Sequence, residues 1–413
     1  MVRVLFANHA QFEAQYTNLG DWAIFEEMVD KFKPLIDAGR IEILVPSSDP
    51  KFTNAHYPVK AFKRGGIKGW FNTFSAIIKS DIVVIGGGEI VQDRSSMVYI
   101  PYQLIRPFVA KFFGKRLFGY AIGVGEREEI SLLGKLQAHF VLNRFDIITV
   151  RDEKSLDVLQ NYLKVKRPRV YLTADPALNL IATPVNDLPS EPFITVSVRS
   201  VYHREHNILP FSIRKKLGLV PQIYYQEVDG FKNDVSSIVA ELMNKYGYKV
   251  MFLNTYTGKQ MSAKDDAFTK DVIGRLPKEL QKDVYVIPQE YTPKQIKAVL
   301  GASEMIVTVP LHPLILGASE NVPVFSMAYA SKNKCFMKQI QHPEHIYSVE
   351  TIGEKLDVEK ILNDIDAIVN NYDDYKDNLL KRVSFLKKRE KRNSELLLRL
   401  IQYTEKRKNK EKC

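Results

Sequence analysis

The stretch EMIVTVPLHPLILGASENVPVFSMAYASK (304–332) places a helical segment between two short apolar strands, at 304–310 and 322–329. A strand, a helix and a second strand in this order predict parallel strands joined by a right-handed crossover. The stretch also places His312 at the junction of the first strand and the helix, between two prolines. Because an apolar side chain would serve a core junction equally well, His312 is a candidate site residue.

The same alternation of strands and helices extends outward over most of the chain, with one restart. Strand-like segments of the first half begin at residues 2, 41, 81, 115, 146 and 170. LPSEP (188–192) then interrupts the chain, and strands restart at residues 192, 248, 282, 304 and 322. We therefore expect an α/β protein with two Rossmann-like lobes facing a cleft, at 1–187 and 188–354, and a helical basic extension at 355–413.

Composition favours a soluble globular protein, because 45% of the 413 residues are hydrophobic and 26% are charged, and the low cysteine content favours the reducing cytoplasm. No apolar run reaches the roughly 18 residues that cross a bilayer, and the N-terminus lacks a signal peptide's apolar region. The two cysteines are too few for a disulfide framework or a cysteine metal site. His203 and His206 lack a third ligand, so we expect no metal, and we expect no cofactor.

The formal net charge of +11 is concentrated at the C-terminal end. Residues 381–413 contain thirteen Lys or Arg and four Glu, which leaves the rest of the chain near neutral. This distribution argues against a nucleic-acid-binding protein, which would carry a broad basic face. The segment is either a solvated basic face or a docking site for anionic lipid on the inner side of a membrane. FKRGGIKGWF (62–71) is a second lipid-contact candidate, or else an ordinary loop.

Candidate site residues fall where ligands of doubly wound sheets bind, at the carboxyl ends of strands. Glycines let backbone N–H groups approach an anion, Arg holds carboxylates or phosphates bidentately, and His moves protons near neutral pH. The candidates are Asn18, Gly20, Asp21, Gly86, Gly87, Gly88, Glu89, Arg151, Arg199 and His312. Each also fits a structural role alone: a tight turn, a surface ion pair or a core histidine. Together they predict a cleft for a small anion with a proton-transfer group.

The order of these motifs resembles that of the polysaccharide pyruvyl transferases. The matching segments are NLGD (18–21), DIVVIGGGEIVQD (81–93), YAIGVGE (120–126), ITVRDEKSLDVL (148–159), TADPAL (173–178), VSVR (196–199), Asp265–Asp266 and LHPLILGASENVPVFSMAYASK (311–332). The resemblance implies a two-lobed fold like that of the GT-B glycosyltransferases. It also implies transfer of the enolpyruvyl unit of phosphoenolpyruvate, as a cyclic ketal, onto a sugar of a cell-surface polysaccharide or its lipid-linked precursor.

The resemblance also implies roles for individual residues. Arg151 and Arg199 would hold the phosphate and carboxylate of phosphoenolpyruvate, and Lys332 would reach into the same anion site. His312 would be the general acid or base, with Leu311 beside it in the substrate site.

One position departs from the family pattern. The family motif is usually Arg-Leu-His, whereas this chain has Pro310 before Leu311 and His312. Proline has neither charge nor N–H, so another cation must replace the Arg if the donor is unchanged. The candidates are Lys332, Lys334 and Arg204.

Two alternative functions follow from the same observations. A non-catalytic relative that binds or scaffolds a polysaccharide-assembly intermediate would explain Pro310. A glycosyltransferase of the same architecture is the other alternative, although the C-terminal lobe has no clear nucleotide-diphosphate motif.

Overall fold

The computed structural model describes residues 1–8, 18–94, 96–199, 209, 211–256, 265–328, 331–348 and 356–411. Within these residues the strands form two sheets, and every strand pairing in both is parallel. The first sheet belongs to the N-terminal lobe and the second to the C-terminal lobe. Two parallel-sheet α/β domains with a helical extension confirm the predicted fold class; the residue boundaries of the domains stay predictions.

The strands of the N-terminal sheet are β1 (Val2–Phe6), β2 (Ile41–Ser47), β3 (Lys60–Lys63), β4 (Ile82–Gly86), β5 (Glu89–Val91), β6 (Arg116–Val124), β7 (Ile147–Val150) and β8 (Arg169–Leu172). Their spatial order is β3-β2-β1-β4-β6-β7-β8, with β5 paired to the end of β6. All five residues of β4 are buried, as expected for a strand covered on both faces of a parallel sheet.

The strands of the C-terminal sheet are β9 (Phe193–Ser197), β10 (Lys249–Phe252), β11 (Val284–Val286), β12 (Ile306–Thr308), β13 (Val324–Ala328) and β14 (Ile346–Ser348). Their order is β11-β10-β9-β12-β13-β14, which is again the doubly wound pattern. The quoted stretch supplies β12, the helix after it and β13, and these two strands pair in parallel as predicted.

The helices are α1 (Leu19–Asp37), α2 (Pro50–His56), α3 (Gly66–Lys79), α4 (Tyr99–Phe112), α5 (Leu132–Leu142), α6 (Glu153–Asp157), α7 (Phe211–Lys216), α8 (Gln222–Tyr246), α9 (Asp265–Arg275), α10 (Lys278–Gln281), α11 (Pro293–Gly301), α12 (Leu311–Ser319), α13 (Ser331–Gln339), α14 (Val358–Asn370), α15 (Tyr372–Glu390) and α16 (Arg392–Lys410). Local sequence explains several of their starts. Asp152 caps α6 by accepting from the backbone N–H of Ser155 at 2.7 Å. Thr292, the residue before α11, and Gln295 in its first turn form a capping box, and Pro293 occupies the first helical position, so α11 begins there.

Each sheet reverses its direction of strand addition at one point, and the two points face the same cavity. In the N-terminal sheet the reversal lies between β1 and β4, and in the C-terminal sheet between β9 and β12. The loops after β4, β9 and β12 all line that cavity. Ligands of doubly wound sheets bind at such switch points, so the topology alone identifies the region where the site should lie.

Helices α14 to α16 form the C-terminal extension, which crosses back from the C-terminal lobe to the N-terminal lobe. The hydroxyl of Tyr375 on α15 donates to the carbonyl oxygen of Val324 at 3.1 Å. Near the end of α16, Lys408 lies 2.8 Å from Asp81 of the N-terminal lobe. The apolar side of the extension is buried, so these helices hold the lobes together. None of the described helices combines the length and the apolar character that a bilayer-spanning segment requires.

Candidate functional site

A cavity of about 420 Å³ lies between the lobes, at both switch points. The predicted residues that line it are Asn18, Gly20, Asp21, Gly86, Gly87, Gly88, Glu89, Arg151, Arg199, Leu311, His312 and Lys332. The structure therefore brings together in one cavity residues that lie more than three hundred positions apart in the chain. Their chemical roles stay predictions.

His312 stands in the first turn of α12 and packs against the start of α1 in the other lobe. A Cβ atom at Gly20 would fall only 2.0 Å from His312 Nδ1, so the imidazole occupies the space that the glycine leaves. The Nε2 atom is enclosed and has no hydrogen-bond partner among the described residues. Burial, with the charges of Arg151 and Lys332, lowers the pKa of His312 to about 4 although Asp175 opposes this. The ring is therefore neutral at pH 7, with an unused nitrogen.

Arg151 follows β7, and its guanidinium is held in place from two sides. Its Nη1 donates to Asp175 Oδ2 at 2.9 Å, and its Nε lies 3.8 Å from Asp152 Oδ2. A Cβ atom at Gly123 would lie 2.9 Å from Arg151 Nη2, so this glycine makes room for the guanidinium. The TADPAL segment thus has a physical role, because its Asp orients the cation that faces the cavity.

Arg199 follows β9 and is positioned by the loop after β10. Its Nε lies 3.8 Å from Asp265 Oδ1, and its guanidinium carbon lies 4.9 Å from the ring centre of Tyr256. The other oxygen of Asp265 accepts from the backbone N–H groups of Thr255 and Tyr256. Burial raises the pKa of Asp265. The Asp265–Asp266 pair therefore contributes an anchor for Arg199 through its first member.

Glu89 and Lys332 bring opposite charges to the glycine side of the cavity. Arg94 Nη2 donates to Glu89 Oε2 at 2.9 Å, and Lys154 Nζ lies 3.7 Å from Glu89 Oε1. Burial alone would raise the pKa of Glu89, but Arg94, Lys332, Lys154 and Arg151 outweigh it and bring that pKa to about 2. The carboxylate stays ionised and balances part of the positive charge around it.

Asp21 has the opposite tendency, although it lies in the same cavity. Asn18 Nδ2 donates to Asp21 Oδ2 at 2.9 Å, and Asn18 Oδ1 accepts from the backbone N–H of Gly20 at 3.0 Å. Burial raises the pKa of Asp21 to about 6, against the influence of Lys332, Arg64 and Arg151. The carboxyl therefore exchanges its proton close to neutral pH, and Asn18 both caps α1 and orients it.

The sequence did not identify several residues that line the same cavity: Asn8, Gln92, Arg94, Tyr99, Tyr102, Gln103, Thr255 and Tyr256. Tyr99, Tyr102 and Gln103 lie on α4, for which no helix was predicted. Arg94 lies six positions after the last glycine of the segment 86–88. The only feature of the sequence that pointed to Arg94 was its proximity to Glu89.

The expected substitute for the missing Arg has one match among the described residues. Pro310 lines the cavity and precedes α12. Lys332 lines the same cavity, and its charge acts on His312. Lys334 is not among the described cavity residues, and Arg204, like His203 and His206, lies outside the described part of the chain.

One group of potential metal ligands occurs among the described residues, away from the cavity lining. His342, Glu344 and His345 bring their ligand atoms within 4.8 Å of one another. His342 Nδ1 already lies 3.2 Å from Glu344 Oε1, a contact that a metal ion would have to replace.

Comparison with solved structures shows that the fold is shared with an epimerase and a glycosyltransferase. The chain aligns with UDP-GlcNAc 2-epimerase from Neisseria meningitidis at a TM-score of 0.58 and 11% identity, covering 96% of this chain and 100% of that one. It aligns with a glycosyltransferase from Rickettsia africae at a TM-score of 0.57 and 13% identity, covering 98% of each chain. At these identities the likeness confirms the expected GT-B-like fold and gives no information about activity.

Comparison by sequence gives a narrower result. The chain is 23% identical over 344 residues to the amylovoran biosynthesis protein AmsJ of Erwinia amylovora, covering 81% of this chain and 77% of AmsJ. The model of the polysaccharide pyruvyl transferase family matches residues 18–331, which include eleven of the twelve predicted cavity residues, and Lys332 follows the matched segment directly. By this match over most of its length, the chain belongs to the polysaccharide pyruvyl transferase family.

Proposed function

We propose that this protein transfers the enolpyruvyl unit of phosphoenolpyruvate onto a sugar as a cyclic ketal. The observation that carries the proposal is the cavity between the lobes, where Arg151, Arg199, Lys332 and His312 meet. Phosphoenolpyruvate carries a phosphate and a carboxylate, which two Arg and a Lys can bind by charge-assisted hydrogen bonds. Glycines at 86–88 let the backbone approach the same anion.

The chemistry requires two proton-handling groups, and the cavity offers two. Transfer breaks the C2–O bond to phosphate and forms two C2–O bonds to hydroxyls of one sugar. Two hydroxyl protons are released: one ends on C3, which becomes a methyl group, and the other on the departing phosphate. His312 is neutral and fits the general base that takes a proton from a sugar hydroxyl. Asp21, with a pKa of about 6, fits the general acid that donates a proton to C3. Arg151, Arg199 and Lys332 stabilise the charge of the leaving phosphate.

The acceptor we propose is a sugar of a cell-surface polysaccharide or of its lipid-linked precursor. Family membership and the likeness to a protein of amylovoran biosynthesis support an exopolysaccharide role. A lipid-linked acceptor would make peripheral binding to the inner face of a membrane useful. Residues 381–413 remain one candidate for that contact, because their charged side chains on α15 and α16 are largely exposed.

Calorimetric titration with phosphoenolpyruvate tests the donor. Lys332→Ala should weaken binding about 10- to 100-fold, since a charge-assisted hydrogen bond contributes about 1.5–3 kcal/mol. Lys338→Ala, an exposed lysine on the same helix, is the matched control and should leave binding unchanged. No binding of the wild type at millimolar phosphoenolpyruvate would exclude this donor.

Pro310 is the observation that favours the non-catalytic alternative. Under the transferase proposal, Pro310→Arg adds a cation at the cavity and should strengthen phosphoenolpyruvate binding. If neither protein binds the donor, a relative that binds or scaffolds an assembly intermediate explains the chain better. Binding of a uridine diphosphate sugar instead would favour the glycosyltransferase alternative, for which the shared fold is the present support.

A further inference from the structure

Three neighbouring helices of the N-terminal lobe expose large apolar side chains to solvent. On α3, Ile67 and Phe71 are 80% and 70% exposed, and Phe112 at the end of α4 is 81% exposed. On α5, Leu132 is 74% exposed. Scattered apolar residues on a surface are ordinary, but a contiguous patch of large ones marks an interaction site.

Ring contacts show that the patch is continuous across the three helices. Three pairs of aromatic rings join the helices at their exposed sides: Trp70 with Tyr102 at 6.4 Å, Phe74 with Phe113 at 5.4 Å, and Phe108 with Phe140 at 6.2 Å between centroids. The first two pairs connect α3 to α4 and its end, and the third connects α4 to α5. We call this surface, formed by residues 66–79, 99–113 and 132–142, the α3–α5 face.

The charges of the α3–α5 face all have one sign. None of its three segments contains an Asp or Glu. They carry Lys68, Lys79, Arg106, Lys111 and Lys135 among the apolar residues. Exposed aromatics and leucines interspersed with lysine and arginine are typical of helices that lie in the interface of an anionic bilayer.

We propose that the α3–α5 face docks on the surface of a bilayer that contains anionic phospholipids. Its apolar side chains would enter the headgroup region while its cations meet lipid phosphates, each Lys or Arg contributing electrostatic attraction. A second copy of the chain is a poorer occupant. A two-fold dimer through this face would bring its cations against the same cations of the partner, with no carboxylate on the face to pair them.

The α3–α5 face borders the cavity, so docking through this face would affect where the cavity lies relative to the membrane. Tyr102 of α4 lines both the cavity and a smaller pocket that also contains Arg64, Trp70 and Arg106. A docked molecule would hold this edge of the cavity next to the lipid surface. The surface is distinct from residues 381–413, and its lipid binding does not depend on which donor the cavity takes.

Sedimentation with liposomes of phosphatidylcholine and phosphatidylglycerol tests the proposal. The wild type should bind these liposomes and bind pure phosphatidylcholine at least about tenfold more weakly, with the difference shrinking as salt rises. The double variant Phe71→Ser/Phe112→Ser should reduce binding about tenfold or more, whereas Leu380→Ser, an exposed apolar control on α15, should not.

Matched charge reversals separate the α3–α5 face from the C-terminal extension. Lys68→Glu/Lys79→Glu on α3 should reduce binding about tenfold or more, and Lys406→Glu/Lys410→Glu on α16 should reduce it less. All four lysines are exposed, so the exchanges leave the core intact. The far-ultraviolet circular dichroism spectrum and the thermal midpoint of each variant are measured in parallel, because unchanged values show that the protein is folded and that only lipid binding has been altered.

Trp70 provides an independent measurement, because the chain has two tryptophans and Trp22 is buried. Anionic liposomes should shift the Trp70 emission to shorter wavelength, and brominated lipids should quench it. Trp70→Phe should lose both responses. The proposal is overturned if the wild type ignores anionic liposomes, if only the α16 variant loses binding, or if the α3 variants change the oligomeric state and leave liposome binding unaltered.

Discussion

At the residue scale, Gly20 determines where His312 can stand. A Cβ atom at this position would lie 2.0 Å from Nδ1 and 2.1 Å from Cε1 of the imidazole, so Gly20→Ala must displace the ring. We expect a loss of about 1–3 kcal/mol in the free energy of unfolding, the usual cost of overpacking. Urea denaturation measures this loss, and weaker phosphoenolpyruvate binding should accompany it.

Gly230→Ala is the matched control for that substitution. Gly230 lies inside α8, where an added Cβ would meet no atom within 4 Å. Replacing a helical glycine by alanine should stabilise the protein by about 0.5–1 kcal/mol. An equally stabilising effect of Gly20→Ala would contradict the close contact between α1 and His312.

The lowered pKa of His312 also predicts a pH dependence. The pKa of His312 is 6.5 in the unfolded chain and about 4 in the folded protein. Between these two pH values the ring is protonated in the unfolded chain and neutral in the folded protein. The free energy of unfolding therefore falls as pH falls from 6.5 to about 4. His312→Gln removes this effect. From pH 7 to pH 5 the variant should lose about 1 kcal/mol less than the wild type, after allowance for the partial exposure of the ring.

The raised pKa of Asp21 has the opposite effect on the pH dependence of stability, so the wild type and the His312→Gln variant must both retain Asp21. Its folded pKa of about 6 exceeds the ordinary 3.8, so its contribution to stability falls as pH rises from about 3.8 to 6. Nuclear magnetic resonance titration of the His312 ring checks the prediction directly. A midpoint near 6.5 would contradict the buried, neutral imidazole.

The candidate site was predictable from sequence where a residue follows a buried strand. Arg151 and Arg199 follow β7 and β9 within two positions, the glycines at 86–88 begin at the last residue of β4, and strand ends of one sheet meet at one edge. Tyr99 and Gln103 could not be found in this way, since they reach the cavity from a helix. The role of Gly20 was also hidden, because it depends on a ring 292 positions away.

At the element scale, helix α15 of the C-terminal extension packs one of its sides against the core. Leu379 is fully buried, while its neighbour Leu380 is 52% exposed. Leu379→Ala should lower the free energy of unfolding by about 2–5 kcal/mol, the range for a buried leucine. Leu380→Ala should change it by less than about 0.5 kcal/mol. Equal effects of the two substitutions would show that α15 does not pack on the lobes as described.

This packing changes how deletion of residues 381–413 should be interpreted. Removing them takes away Leu386, Leu397 and Ile401, which are buried in the core. Loss of liposome binding by the truncated protein would therefore reflect lost folding as readily as lost charge. Charge reversal at exposed lysines avoids this problem, since it leaves the buried leucines in place.

Helix α4 escaped sequence analysis because it has apolar residues on more than one side. Helix α4, YIPYQLIRPFVAKF, buries Ile100 and Leu104 but exposes Tyr102 and Phe108, so its apolar residues give no single helical stripe. Helix α8 has a clear apolar stripe only in its second half, because its first half is largely polar and exposed. Strands buried on both faces were identified because their apolar runs are uninterrupted.

At the scale of the whole molecule, one hydrophobic core extends across both lobes and the C-terminal extension. One cluster of buried side chains contains Phe6 of β1, Ile306 of β12 and Leu397 of α16. Lys297 of α11 crosses the same boundary, because its ammonium donates to the carbonyl oxygens of Leu178 and Leu180 at 3.2 and 2.6 Å. The lobes are thus coupled by packing and hydrogen bonds as well as by the chain.

This shared core predicts that the protein unfolds as one unit, although chains of this length often unfold domain by domain. Differential scanning calorimetry should show a single transition whose calorimetric and van't Hoff enthalpies agree. Leu379→Ala in the extension should move the whole transition to lower temperature, because the buried leucine belongs to the cluster that both lobes share. Emission from Trp22, buried in α1 of the N-terminal lobe, should follow the same curve as far-ultraviolet circular dichroism. Two separate transitions, with Leu379→Ala shifting only one of them, would mean that the lobes fold independently and that the cavity is bounded by a mobile interface.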